Sequence, residues 1–212
     1  MNYLISTLIG FILGSFPTAY VFLKYLKGID VTKEGSGNVG AMNSFDVTKS
    51  KVLGLLIFFI DALKGLLSVF IIILIFPESF VLCAVSLLSA IFSHCYNPWL
   101  KFKGGRGLAT GAGGTALLFP VVLILWLILW AIVYAMRKDI HFANIWASLM
   151  SLIIIFTSSD IAIKYTFPRA TETDNLILFL LGLFIIILTK HIEPLINLIE
   201  NPTIIGRKNN EK

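Results

Sequence analysis

The chain has 212 residues, 57% of them hydrophobic, with 17 Lys and Arg against 12 Asp and Glu and a formal net charge of +5. Apolar runs of spanning length recur from end to end with short polar breaks; this tells against a water-soluble globule and predicts an all-α membrane protein, one domain over residues 1–212. The basic residues stand in short loops beside the apolar runs, a pattern that orients membrane helices, so the expected partner is the bilayer and no nucleic acid.

The first apolar run, residues 3–23, lacks the basic start and small-residue cleavage site of a signal peptide and is expected to remain as a span. Within it, GSFPTAY places Gly14 and Ser15 where small residues allow close helix contact, and Pro17 where a kink is expected. A polar segment follows. EGSGNVGAMNSF, residues 34–45, holds three glycines, two asparagines and two serines, with no helix-forming run. Gly35, Gly37 and Gly40 permit positive φ, successive N–H groups there can form a concave anion nest, and Ser36, Asn38 and Asn43 add neutral donors. The competing reading is an ordinary turn.

In the second run, residues 52–76, FFIDALKG sets Asp61 and Lys64 three positions apart on one helix face, where ionisable groups pair and face a cavity or the bundle interior; a structural pair is as good a reading as a catalytic one. The third run, 80–96, carries Cys83 and Cys95. Twelve helical residues hold them about 18 Å apart, beyond disulfide reach, so both read as packing residues.

NPWLKFKGGRGLATG comes next: Lys101, Lys103 and Arg106 surround Gly104 and Gly105, and Gly107 opens a helix, so cations stand beside backbone N–H groups at a helix N-terminus. The spacing is not that of a nucleotide-binding P-loop, and nucleotide hydrolysis is not indicated. Residues 108–136 would make one helix of about 43 Å, longer than the hydrocarbon layer of about 30 Å, and Pro120 interrupts them. The last runs are 142–158 and 175–189. His94, His141 and His191 lack metal-ligand spacing, and neither metal nor cofactor is expected.

Charge decides how 108–136 is divided. With a turn near Phe119 and Pro120, the loops bearing Lys27, Lys33, Lys49 and Lys51, then Lys101, Lys103 and Arg106, then Arg137 and Lys138, and the tail with Lys190, Arg207, Lys208 and Lys212 share one side; Lys164 and Arg169 fall opposite. The expected fold is therefore a seven-helix bundle with two short helices, about 108–119 and 120–136, re-entrant in character, the N-terminus outside and the C-terminus cytoplasmic. The polar segments 28–51, 96–111 and 190–206 then gather on the cytoplasmic face.

GSFPTAY, GSGNVGAMN, FFIDALKG and SHCYNPWLKFKGGRGLATG, in this order and spacing, resemble the bacterial integral-membrane glycerol-3-phosphate acyltransferases that use acyl phosphate as donor. The resemblance implies transfer of a fatty acyl group from acyl phosphate to the 1-hydroxyl of glycerol 3-phosphate, lysophosphatidic acid as product, and a multi-pass protein of the bacterial cytoplasmic membrane with its site facing the cytoplasm, expected as a monomer. It implies Ser36, Asn38, Lys103, Arg106 and His191 as catalytic residues. Gly35, Gly37, Gly40, Asn43, Lys101, Gly104, Gly105, Gly107, Thr110, Asn144 and Glu193 are the expected substrate- and phosphate-binding residues.

The chain departs from that family's pattern at marked places. Three positions after Asn43, where the family carries Arg, stands Asp46; Met42 replaces Thr; Arg106 replaces a lysine; Asn144 replaces a serine; and in HIEPLIN, Pro194 and Asn197 replace Asn and Arg. Asp repels a phosphate ligand. A relative that acylates a less anionic acceptor, and a membrane protein that binds anions without catalysis, are the alternatives these changes leave open.

Overall fold

The computed structural model describes residues 1–200, with side chains as far as Ile196; the tail residues Arg207, Lys208 and Lys212 and the side chain of Asn197 lie outside the described residues. The elements are helices: α1 Asn2–Ser15, α2 Thr18–Lys27, α3 Ala41–Thr48, α4 Lys51–Ile75, α5 Phe80–Cys95, α6 Leu108–Leu118, α7 Pro120–Arg137, α8 Ile140–Thr157, α9 Ser159–Ala162, α10 Thr173–Thr189 and α11 Ile192–Glu200. Among the described residues, five stretches are long and apolar enough to cross a membrane: Asn2–Lys27, Lys51–Ile75, Phe80–Leu100, Pro120–Arg137 and Ile140–Thr157. Leu108–Leu118 and Thr173–Thr189 are shorter apolar helices.

Residues 108–136 do turn at Phe119, with Pro120 at the first position of α7, where its missing N–H costs nothing. The bounds fall within one residue of those expected, but the second helix is not the short, re-entrant one expected. α6 has 11 residues, whereas α7 has 18 and a length of about 27 Å, enough to cross the hydrocarbon layer. A second correction concerns 34–45, whose latter part folds into α3; Gly40 supplies its extended N-cap, and tertiary packing against α4 supplies what intrinsic propensity does not.

The first span is two helices. Pro17 keeps Phe16 extended, with φ −63° and ψ 116°, and so ends α1 inside the apolar layer. The groups freed there are met from α4. Lys64 Nζ donates to the Phe16 carbonyl at 2.6 Å and to Asp61 Oδ1 at 2.6 Å, while Thr18 Oγ1 donates to the same carboxylate oxygen at 2.8 Å. Asp61 and Lys64 are 2% and 6% exposed. The ammonium thus sits at the negative C-terminal pole of α1 and the carboxylate at the positive N-terminal pole of α2, an arrangement that both half-dipoles favour.

Around this joint the bundle packs by close backbone approach. α5 lies at the centre against α1, α4, α6 and α10. A Cβ at Gly14 would collide with the Ala90 carbonyl of α5, and one at Gly113 of α6 with the Ala62 carbonyl of α4, which is why small residues recur on these faces. α7 differs: it packs on α8 and touches α6, only Val122 on it is buried, and its outer face is left for lipid. Cys83 and Cys95 are buried free thiols in the α5 core.

Candidate active site

The first glycine loop is shaped by one amide. Asn43, 2% exposed on the first turn of α3, donates through Nδ2 to the carbonyls of Glu34 and Asn38 at 3.0 Å and of Val31 at 3.3 Å, and its Oδ1 accepts from the Ser36 N–H at 2.9 Å. Gly35 and Gly37 hold φ of 59° and 68°, which lets the loop wrap around that side chain. Gly40 is extended at −151° and needs no such freedom.

The anion nest expected from Gly35 to Gly40 is therefore closed at positions 36, 37 and 39. The N–H groups of Ser36, Gly37 and Val39 go to Asn43, Glu34 and Gly104. The open donors are one step on. The first α3 hydrogen bond runs from Ser44 N to Gly40 O, and no side chain caps the helix, so the N–H groups of Ala41, Met42 and Asn43 have no intrahelical partner.

Replacing Asn43 with Ala is expected to cost about 1–3 kcal/mol for the stranded loop groups and to open the loop. Hydrogen exchange over residues 31–38 should accelerate while α5 stays protected; unchanged exchange would remove this role from Asn43.

The second loop is locked onto the first. Gly104 O accepts from Val39 N at 3.3 Å and Gly105 N donates to His94 O at 3.1 Å; a Cβ on Gly104 would strike the His94 carbonyl and one on Gly105 the His94 ring. Asn97 Nδ2 donates to Ser15 O at 2.7 Å, tying the loop to the end of α1. The loop ends at Gly107, with φ 80°, the N-cap of α6; this helix also has no side-chain cap, and its first hydrogen bond runs from Gly111 N to Gly107 O. Leu108, Ala109 and Thr110 thus leave their N–H groups without intrahelical partners.

α7 and α8 form the remaining wall. Trp126, Trp130 and Tyr134 succeed one another at four-residue spacing on α7, stacked with centroids 6.4 and 5.0 Å apart, and Lys138 Nζ lies 5.7 Å over the Tyr134 ring. Two indole N–H groups pin this ladder to α8: Trp126 donates to Ser148 Oγ at 3.0 Å and Trp130 to Asn144 Oδ1 at 2.8 Å. The chain of contacts runs on to His191, whose Nε2 lies 3.2 Å from Asn144 Nδ2 and whose Nδ1 lies 2.8 Å from Ile187 O. Burial lowers the His191 pKa to about 4, the Ile187 hydrogen bond opposing and Arg106 and His141 reinforcing it. The ring is neutral at pH 7, so Nδ1–H donates to Ile187 and Nε2 accepts from Asn144.

These walls enclose a cavity of about 930 Å³. Its polar end, where Arg106 meets His141, is lined by Ser36, Asn38, Gly40, Ala41, Asp46, Asp61, His94, Lys138 and the start of α6 at Leu108, and its apolar end by Ala112, Val122, Leu123, Trp126, Leu127, Leu183 and Phe184. From Val122 to Lys138 the α7 wall runs about 24 Å. Arg106 is half-buried with Nη1 3.4 Å from His141 Nδ1; burial draws its pKa down and Glu193 opposes that, and a guanidinium stays charged. The uncapped N-termini of α3 and α6 open on the same polar end. Two concentrations of N–H donors with a cation beside them can hold two anions within one cleft.

The expected residues divide accordingly. Ser36, Asn38, Gly40, Asn43, Arg106, Gly107 and Asn144 line the cavity. Lys101 and Lys103 are exposed and do not, because the loop turns outward through positive φ at Lys101 and Phe102. Gly35 and Gly37 shape the first loop, and Gly104 and Gly105 serve packing against His94. Thr110 is fully buried, its carbonyl against Gly65 of α4. His191 is buried behind Asn144, and Glu193 is exposed outside the cavity. Sequence reasoning missed Trp130, Tyr134, Lys138 and His141. The four-residue spacing of Trp126, Trp130, Tyr134 and Lys138 was the available signal.

A family model described as glycerol-3-phosphate acyltransferase matches residues 4–201. The glycerol-3-phosphate acyltransferase of Helicobacter acinonychis is 33% identical over 201 residues, covering 92% of this chain and 90% of that protein. That of Thermotoga petrophila is 33% identical over 197 residues, covering 93% and 94%. The crystal structure of PlsY (YgiH), an integral membrane glycerol 3-phosphate acyltransferase, in its glycerol 3-phosphate form superposes with a TM-score of 0.79 at 27% identity, covering 95% of this chain and 94% of that one; the lysophosphatidic acid form gives 0.78. Sequence and fold agree over nearly the whole length, and the chain belongs to the glycerol-3-phosphate acyltransferase family.

Proposed function

We propose that this chain, acting as a single domain, transfers a fatty acyl group from acyl phosphate to the 1-hydroxyl of glycerol 3-phosphate and releases lysophosphatidic acid. The observation that carries the reading is the shared cavity: two uncapped helix N-termini and Arg106 at one end, for two phosphates, and an apolar slot at the other, for an acyl chain. The acceptor hydroxyl oxygen attacks the acyl carbonyl carbon, the bond from that carbon to the phosphate oxygen breaks, and the departing phosphate takes the hydroxyl proton. The leaving group is good, so the protein's work is alignment and stabilisation of negative charge rather than strong base catalysis. Purified protein given palmitoyl phosphate and labelled glycerol 3-phosphate should form the labelled lysolipid; absence of product beside an active family member would overturn the reading.

The positive-inside pattern of the loops supports a cytoplasmic site with the N-terminus outside. A second reading, a less anionic acceptor, is favoured by Asp46, which lines the polar end where the family's pattern has a cation. Replacing Asp46 with Arg is expected to lower KM for glycerol 3-phosphate roughly tenfold, the effect of about 1.4 kcal/mol of charge interaction. An unchanged KM for glycerol 3-phosphate would show that Asp46 does not face the acceptor.

A further inference from the structure

Resting on the acyl-transfer reading, we propose that Lys138, at the end of the α7 wall, binds the phosphate of the acyl donor in a cavity whose first loop offers Asp46 and no cation. The charges around the cavity motivate this. Asp61 is engaged by Lys64 and Thr18, and Asp139 caps α8 by accepting from Phe142 N at 2.7 Å. Asp46 has no cation within ion-pair distance among the described residues, and neither Asp46 nor Lys138 is in any of their ion pairs. With Asp46 negative, Arg106 alone would leave the polar end without the net positive charge that two phosphates require. Lys138 is the other Lys or Arg that lines the cavity among the described residues.

Position assigns it to the donor rather than to the acceptor. The aromatic ladder on α7 is continuous from Trp126 through Trp130 to Tyr134, and Lys138 stands one turn beyond, over the last ring. An acyl chain lying along those rings brings its phosphate to that end of the slot. There the ammonium and Arg106 both line the cavity. Lys138 is the left-handed C-cap of α7, with φ 53°, and its ammonium lies over the Tyr134 ring at the cavity.

The test measures both Michaelis constants in one detergent system for wild type, Lys138→Asn, Lys138→Arg and the pair Lys138→Asn with Asp46→Arg. Asn tolerates the left-handed conformation, so the variant removes charge without backbone strain; Lys138→Gly serves the same measurement if the melting midpoint of Lys138→Asn falls. The expected result is a rise in KM for acyl phosphate of roughly 10- to 100-fold, the loss of one charge-assisted hydrogen bond, with KM for glycerol 3-phosphate within about twofold. Lys138→Arg should stay near wild type, and the added Arg at 46 should recover part of the loss. Unchanged constants, or a rise confined to the acceptor, overturn the proposal. A wild-type protein that is inactive yet binds an acyl phosphonate more tightly than Lys138→Asn would sink acyl transfer and leave this anion site standing.

Discussion

Replacing Arg106 with Met is expected to lower kcat/KM for acyl transfer by roughly 10²- to 10³-fold, the loss that follows removal of one preorganised stabiliser of developing negative charge. Arg106 is the cation that ends the second glycine loop, half-buried, beside the uncapped N-terminus of α6. Its Nη1 lies within 3.5 Å of both ring nitrogens of His141, and this contact fixes where the guanidinium sits in the cavity wall. Arg106→Lys should retain part of the rate, because it keeps the charge and loses the planar fork. Initial rates of phosphate release at subsaturating substrates measure this directly. A Met variant within threefold of wild type would take Arg106 out of the chemistry.

The second large effect is on stability. Asp61→Ala or Lys64→Ala should each destabilise the protein by about 3–5 kcal/mol, because either change leaves the partner charged and buried. The double variant Asp61→Asn with Lys64→Met is expected to cost much less than the sum, since neither charge then remains. Thermal unfolding in detergent of the two singles and the double gives the coupling. Additive losses would mean that Asp61 and Lys64 act separately, against the 2.6 Å contact and the shared joint at Phe16. Activity should fall with stability in the singles, since Asp61 also lines the cavity.

Much of the fold was legible because each reading rested on local chemistry. Apolar runs of 15 to 25 residues became α4, α5, α8 and α10 with ends shifted by at most two positions, and Pro120 set the turn between α6 and α7. The different character of that pair was not legible: both were expected to be short and re-entrant, whereas α7 is long enough to span, and what each packs against separates them, α6 on α4 and α5, α7 on α8 and lipid.

The site was legible in a different measure. Glycines and polar residues marked both loops, yet spacing could not say which N–H groups stay open. The Asn43 amide takes the Ser36 N–H and holds the Glu34 and Asn38 carbonyls, the Gly37 N–H turns back to Glu34, and the open donors belong to α3, a helix that sequence propensity does not announce. Lys101 and Lys103 sit among the glycines beside Arg106 but point away, since adjacent residues in a turn face different directions. Lys138, more than thirty positions on, faces in.

From the residues themselves came the membrane class, the number of apolar helical segments, the proline breaks and the two loops that carry the family pattern, because hydropathy and backbone restriction act within a few residues of chain. Tertiary structure alone decided that Lys64 and Asp61 would close the break at Phe16, that Asn43 would fill the first loop and leave the α3 terminus open, and that α7 would bring Lys138 to the cavity that Asp46 lines. Those outcomes depend on distances between segments far apart in sequence, and only the packed bundle sets them.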